Sequence, residues 1–235
     1  MPNYFRDYMT RTGDRMILKM DHYLDIYPRL LGHLQGRDLR FLEIGIYKGG
    51  SMPMWQGYFG PGAHLVFADI DPACRDLALP GTHVEIGDQA DPAFLRDLVA
   101  GHGPFDLILD DGGHKTDQQI TSFRHLFPHL RPGGIYVVED THTSYWPGFD
   151  GGYGKRSFIG YAKWLIDRMH SWYTDEDEIF PFHPLAREIG EIRFFDSIVA
   201  ITREPHGMPT ALSSRNGQVK RSQAMMRARN RRSIF

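Results

Sequence analysis

Three acids are the residues of this sequence best suited to chemistry. Asp111 closes the Asp110-Asp111 pair after the apolar run at residues 105–109, and Glu139 and Asp140 follow the run at 135–138. Three carboxylates crowded into one crevice repel one another, so at least one holds its proton tightly unless a cation offsets them. Hard oxygen ligands, with no thiolate and no paired imidazoles, favour Mg²⁺, with Mn²⁺ or Ca²⁺ as alternatives. Such an ion keeps positions open for substrate oxygens, and vicinal hydroxyls on a sugar could chelate it and be acidified by it. His114 stands three residues after Asp111. Gly112 and Gly113 between them permit a tight loop that returns the imidazole toward the ion. A neutral imidazole there could act as a general base, worth about 10²–10⁴-fold in rate. Asp111 and His114 are therefore the expected catalytic pair, and Asp111, Glu139 and Asp140 the expected metal ligands. Asp110 is expected on the cofactor side.

Earlier apolar runs end in a second set of polar residues. The first ends in Glu43-Ile44-Gly45, the second in Asp69, and the third in Gly87-Asp88-Gln89. The turn after Glu43 lacks the G-x-G-x-x-G spacing that brings a backbone against a pyrophosphate. It also puts a carboxylate where anionic phosphates would be repelled. A nucleoside carrying a sulfonium and an ammonium group is attracted there instead, which points to S-adenosylmethionine. Gly45 lets the backbone pass close to it, and Gly49 and Ser51 complete the turn. Asp69 can bridge ribose hydroxyls, while Asp88 and Gln89 can bond the adenine edge.

These residues need a scaffold that gathers strand ends. Apolar strands are expected at residues 39–44, 64–68, 82–86, 105–109 and 135–138, and helices at 51–58, 91–100, 116–130 and 158–173. A further amphipathic helix is expected at 20–34, where Pro28 would kink or split it. Continuous apolar strands, each followed by a helix, describe a doubly wound parallel sheet covered on both faces. Two more strands, at 189–195 and 197–202, read as an antiparallel pair closing the edge. The expectation is a Rossmann-like α/β fold of seven strands, the last antiparallel, over residues 1–203. Residues 204–235 follow as a tail whose Lys220, Arg221, Arg227, Arg229, Arg231 and Arg232 are basic. The loop at 141–155 is long for its position, and its Tyr145 and Trp146 could stack on a sugar face.

Composition excludes several classes. The 27 Lys and Arg nearly balance 29 Asp and Glu, so no basic face suggests a nucleic acid. Cys74 is the single cysteine, which rules out an intrachain disulfide and a thiolate metal cage. No run is apolar and long enough to span a bilayer. The start of the chain has no signal-peptide core. A cytoplasmic protein is expected.

The segments FLEIGIYKGGS (41–51), DDGGH (110–114) and PGGIYVVEDTHTSYWPG (132–148) resemble the metal-dependent macrolide sugar O-methyltransferases and the broader cephalosporin-hydroxylase-like group. The likeness runs over most of residues 21–203. It implies Mg²⁺ on Asp111, Glu139 and Asp140, His114 as base, and S-adenosylmethionine on Glu43, Gly45 and Asp69. It also implies a glycosylated small-molecule acceptor, and a homo-oligomer is expected. Three rivals are a catechol or phenol O-methyltransferase of the same fold, an oxygenase with iron between His114 and His142, and a cofactor-binding module without turnover.

Overall fold

The computed structural model describes residues 3–154, 156–174 and 177–222. Among the described residues the α-helices are α1 (Tyr4–Met9), α2 (Tyr23–Leu31), α3 (Ser51–Phe59), α4 (Pro92–His102), α5 (Thr116–Leu126) and α6 (Phe158–Met169). The strands are β1 (Arg40–Ile44), β2 (His64–Asp69), β3 (Thr82–Ile86), β4 (Phe105–Asp110), β5 (Leu130–Val138), β6 (Ile189–Phe195), β7 (Ile198–Arg203), β8 (Ala211–Arg215) and β9 (Gln218–Ser222). Seven of them form one sheet in the order β3-β2-β1-β4-β5-β7-β6. β1 to β5 pair in parallel, while β7 runs antiparallel between β5 and β6.

Period-two alternation divides the core. Phe41, Leu107, Leu109, Ile135 and Val137 face one apolar cluster, which contains α1, α2 and α3 side chains. Leu42, Ile44, Ile108, Tyr136 and Val138 face the other, with side chains of α4, α5 and α6. Both faces of the central strands are thus buried, which is why these strands read as unbroken apolar runs. The chain crosses from the β1-β2-β3 side to β4 at the β1/β4 boundary. In open parallel sheets that switch point opens a crevice at the carboxyl strand ends.

Three elements depart from expectation. Helix α2 is shorter than residues 20–34, yet Pro28 does not end it. Six buried side chains, Tyr23, Leu24, Ile26, Tyr27, Leu30 and Leu31, anchor the helix and offset a proline cost of about 3 kcal/mol. The first residues, where no element is expected, form α1. Asn3 caps it by accepting from the backbone N–H groups of Phe5 and Arg6, and Phe5 is fully buried against Tyr27, Trp55 and Tyr58. The segment expected to be a tail contains the β8–β9 hairpin, turned by Asn216-Gly217, both at positive φ. Of its basic residues, Lys220 and Arg221 lie in β9. Arg227, Arg229, Arg231 and Arg232 lie outside the described residues. Among the described residues no helix is long and apolar enough to cross a membrane.

Candidate active site

The parallel ladder continues past the strand ends and lines up the loops that follow. Asp111 N–H donates to the Ile44 carbonyl at 2.9 Å, and Glu139 N–H to the Asp110 carbonyl at 2.9 Å. This registration brings Asp111, His114 and Asp140 together, with one ligand atom of each within 4.8 Å of the others. His114 Nε2 lies 3.6 Å from Asp140 Oδ2, while its Nδ1 is buried without a hydrogen-bond partner. The left-handed positions of this tight loop do not fall on the glycines before His114. His114 itself lies in the left-handed region, at φ 57°, as does Asp140 at φ 53°, a region sparsely used by non-glycine residues. Gly112 and Gly113 matter for space instead, because a Cβ on them would collide with Gln89 and Gln118.

Glu139 stands outside this trio but lines the same cleft. Its Oε1 accepts from the Tyr27 hydroxyl at 2.6 Å, and its Oε2 from Lys19 Nζ at 2.8 Å. The same ammonium lies 2.5 Å from Asp111 Oδ2 and 3.8 Å from Glu43 Oε1, with only 2% of the lysine side chain exposed. Tyr23, one helical turn before Tyr27, donates to Asp140 Oδ1 at 2.7 Å. Residues four apart share a helix face, so α2 presents two hydroxyls to the two acids of the fifth strand end. Burial pushes the Glu43 carboxyl up to about 7 and that of Glu139 up as well, with Lys19 opposing both and Asp111 adding repulsion. For Lys19, burial favours the neutral amine, but Asp111, Glu139, Tyr27 and Glu43 outweigh it and hold the amine charged. One ammonium leaves these acids short of positive charge.

A cleft of about 680 Å³ runs from this group over the ends of β1, β2 and β3, well within the usual size of small-molecule sites. Gly45, Asp69, Asp88 and Gln89 line it. Gly45 sits at φ 98°, and a Cβ there would strike the Asp111 carbonyl, so only glycine lets the two loops touch. Asp69 accepts from Ile46 N–H at 2.7 Å, Tyr47 N–H at 3.1 Å and Asp71 N–H at 2.9 Å. Its carboxylate therefore fixes the turn after β1 as well as facing the cleft. Asp88 caps its own turn through Ala90 N–H at 2.8 Å. Gln89 reaches across to the fourth strand end, donating to Asp110 Oδ1 at 3.0 Å and accepting from Gly113 N–H at 2.7 Å.

A strand-end carboxylate clamping the first turn, a glycine under the neighbouring loop and an acidic group at the far end of one cleft are now in place. Residues 42–141 match the family profile of a methyltransferase domain. The chain belongs to the methyltransferase family. It is 37% identical over 191 residues to the 8-demethyl-8-alpha-L-rhamnosyl tetracenomycin-C 2'-O-methyltransferase of Streptomyces olivaceus, covering 77% of this chain and 50% of that one. It is 40% identical over 154 residues to the mycinamicin VI 2''-O-methyltransferase of Micromonospora griseorubida, covering 61% and 38% respectively. Among solved structures, it matches the MycE methyltransferase in complex with Mg, SAH and mycinamycin VI at a TM-score of 0.77 and 29% identity, over 87% of this chain and 54% of that chain. This chain spans half or less of the length of these curated relatives.

Within the methyltransferase domain, four residues expected at the cofactor do not line the cleft. Glu43 is fully buried, accepting from Ser51 Oγ at 2.7 Å and Trp55 Nε1 at 3.1 Å. Strand alternation turns it onto the α3 face, away from the opening, and Ser51 follows it there. Gly49 packs near Leu77 and Arg15. Asp110 is fully buried between Gln89 and the Tyr136 hydroxyl, and burial raises its pKa. Tyr145 and Trp146 are half-exposed outside the cleft wall, with Trp146 edge-on to His142. His142 itself bonds Ser197 Oγ at 2.5 Å and stays out of the Asp111–His114–Asp140 group, which leaves the two-histidine iron arrangement without its second imidazole. Lys19 is not among the expected site residues. Its signal was a lone charge inside Met16-Ile17-Leu18-Lys19-Met20. Tyr23 and Tyr27 were read only as an apolar helix face.

The residues present fit the expected groups. Two converging carboxylates and a local excess of negative charge suit a hard divalent cation. Gly45 and Asp69 on a cleft of this size suit an adenosyl group.

Proposed function

We propose that this protein is an S-adenosylmethionine-dependent, Mg²⁺-dependent O-methyltransferase acting on a sugar hydroxyl of a glycosylated natural product or saccharide. The observation that carries this reading is the meeting of Asp111, His114 and Asp140 at one end of a cleft whose other end is Gly45, Asp69 and Gln89. It is supported by the likeness to the rhamnosyl tetracenomycin-C and mycinamicin VI O-methyltransferases and to a solved relative holding Mg and SAH.

Asp111 and Asp140 would hold the ion, with Glu139 contributing an oxygen it now shares with Lys19. S-adenosylmethionine supplies the methyl group when bound, and the divalent ion draws electron density from the acceptor oxygen. His114 removes the hydroxyl proton onto its imidazole. The acceptor oxygen then forms its bond to the methyl carbon as the carbon–sulfur bond breaks, its electron pair returning to sulfur. Asp140 lies 3.6 Å from His114 Nε2. Tyr23 holds Asp140, Gly45 keeps the cofactor loop against the Asp111 loop, and Asp69 fixes the turn between them. His142, Tyr145 and Trp146 lie beyond Asp140 and form the side from which a sugar ring would approach. In the same reading residues 1–203 are the catalytic unit and 204–235 an appendage. The protein is a cytoplasmic homo-oligomer without a nucleic-acid partner, and light scattering measures its assembly.

The test is transfer of labelled methyl to a panel of glycosides and catechols, with and without chelator. Label on glycosides that disappears with EDTA and returns with Mg²⁺ is the expected result. Transfer that survives full chelation removes the metal, and label on catechols alone moves the acceptor class.

A further inference from the structure

Lys19 lies on an extended segment without regular secondary structure, ahead of α2. Side chains alternate along it. Met16, Leu18 and Met20 are 54%, 71% and 45% exposed as residues, whereas the side chain of Lys19 is only 2% exposed. The segment is held in place from both sides. Arg15 donates to the Leu77 carbonyl at 2.6 Å, and a Cβ on Gly50 would collide with the Met16 backbone. The inward lysine reaches acids at three strand ends, Glu43 of β1, Asp111 after β4 and Glu139 after β5. Asp111 thereby belongs to two groups at once. It contacts the ammonium through Oδ2, yet it still converges with His114 and Asp140. Asp111, His114 and Asp140 are therefore already grouped with the lysine in place.

We propose that Lys19 is a positioning residue of the metal centre, an internal ammonium that remains against Asp111 and Glu139 when the divalent ion is bound and aims their carboxylates at it. This inference rests on the Mg²⁺ reading given above. Carboxylates that ligate a metal are held by hydrogen bonds of their own, and loss of such a partner weakens metal binding by about 10–100-fold. A lysine that merely filled the site before the ion came would act in the opposite sense, because its removal would relieve repulsion.

The experiment measures Mn²⁺ affinity by calorimetry on the full chain, with S-adenosylhomocysteine affinity as the control. Lys19→Met is expected to weaken Mn²⁺ binding by about 10–100-fold and to leave S-adenosylhomocysteine affinity within about threefold, and Lys19→Arg to restore most of the loss. Mn²⁺ affinity that is unchanged or tighter in Lys19→Met overturns the proposal and makes the lysine a bystander or a competitor. A crystal structure of the unaltered chain soaked in Mn²⁺ decides the matter independently of how the variants fold. Lys19 Nζ should stay within hydrogen-bond reach of Asp111 and Glu139, and its displacement by the ion also overturns the proposal. Failure of the unaltered chain to bind Mn²⁺ at all removes the metal reading together with this one, whereas normal binding with an unaffected variant removes this one alone.

Discussion

The two halves of the cleft use the same kind of residue at equivalent strand ends for different ends. On the β2–β3 side, Asp69 and Asp88 face backbone N–H groups, three for Asp69 and one for Asp88. Their charge is spent on shaping turns. On the β4–β5 side, Asp111, Glu139 and Asp140 face one another, two tyrosine hydroxyls and a single ammonium. Hydrogen bonding to backbone donors favours the ionised carboxylate, whereas burial beside other acids disfavours it. The first half is electrically settled and the second is not. An acid at a strand end therefore does not announce its role, which depends on what the neighbouring loops turn toward it.

Substitutions can break or sharpen this contrast. The largest expected effect is on the unsettled half. His114→Ala should lower methyl transfer by about 10²–10⁴-fold while S-adenosylhomocysteine binding, followed by calorimetry, stays near normal. Loss of cofactor binding instead would make His114 a structural part of the loop. On the settled half the pattern should reverse. Asp69→Ala strips the first turn of its acceptor, and a loss of about 1–3 kcal/mol in hydrogen bonding should raise the S-adenosylhomocysteine dissociation constant about 10–100-fold, with Mn²⁺ affinity preserved. Equal losses of both ligands would show that the halves are not separable.

The smallest effect concerns the opposite end of the sheet. At the start of β2, His64 lies 3.2 Å from His102, which in turn bonds Glu85 at 2.9 Å. Burial, with the neighbouring His83, holds His64 below its usual pKa. A base depressed in the folded state binds its proton more readily unfolded. Its contribution to stability is therefore complete above about pH 6.5 and is lost as pH falls toward the folded value. His64→Gln should flatten the acid side of a melting-temperature profile between about pH 6.5 and 5, leaving catalysis unchanged. A profile identical to that of the parent chain would place the acid sensitivity elsewhere.

The architecture was legible because parallel strands buried on both faces leave unbroken apolar runs, and because the acids fall at their carboxyl ends. The convergence of Asp111 with Asp140 could be anticipated from strand order alone. The direction of a side chain could not. Glu43 and Asp69 share a face of adjacent strands, yet Glu43 pairs with Phe67, two residues short of Asp69, so one is buried and the other reaches the cleft. Lys19 was hidden for a different reason, since its partners are 92 and 120 residues away in the chain and no local pattern encodes them. Tyr23 and Tyr27 carried the right spacing, but an aromatic face gives no sign that its hydroxyls meet acids. The β8–β9 hairpin was available in Asn216-Gly217, a dipeptide favoured in two-residue turns. A basic, polar composition masked it.

The stretch by which the family is recognised, residues 42–141, contains every acid of the site but not the lysine that counters them. A fragment cut to that stretch, or begun at the first strand, would retain Asp111, Glu139 and Asp140 and shed the ammonium that lies against two of them.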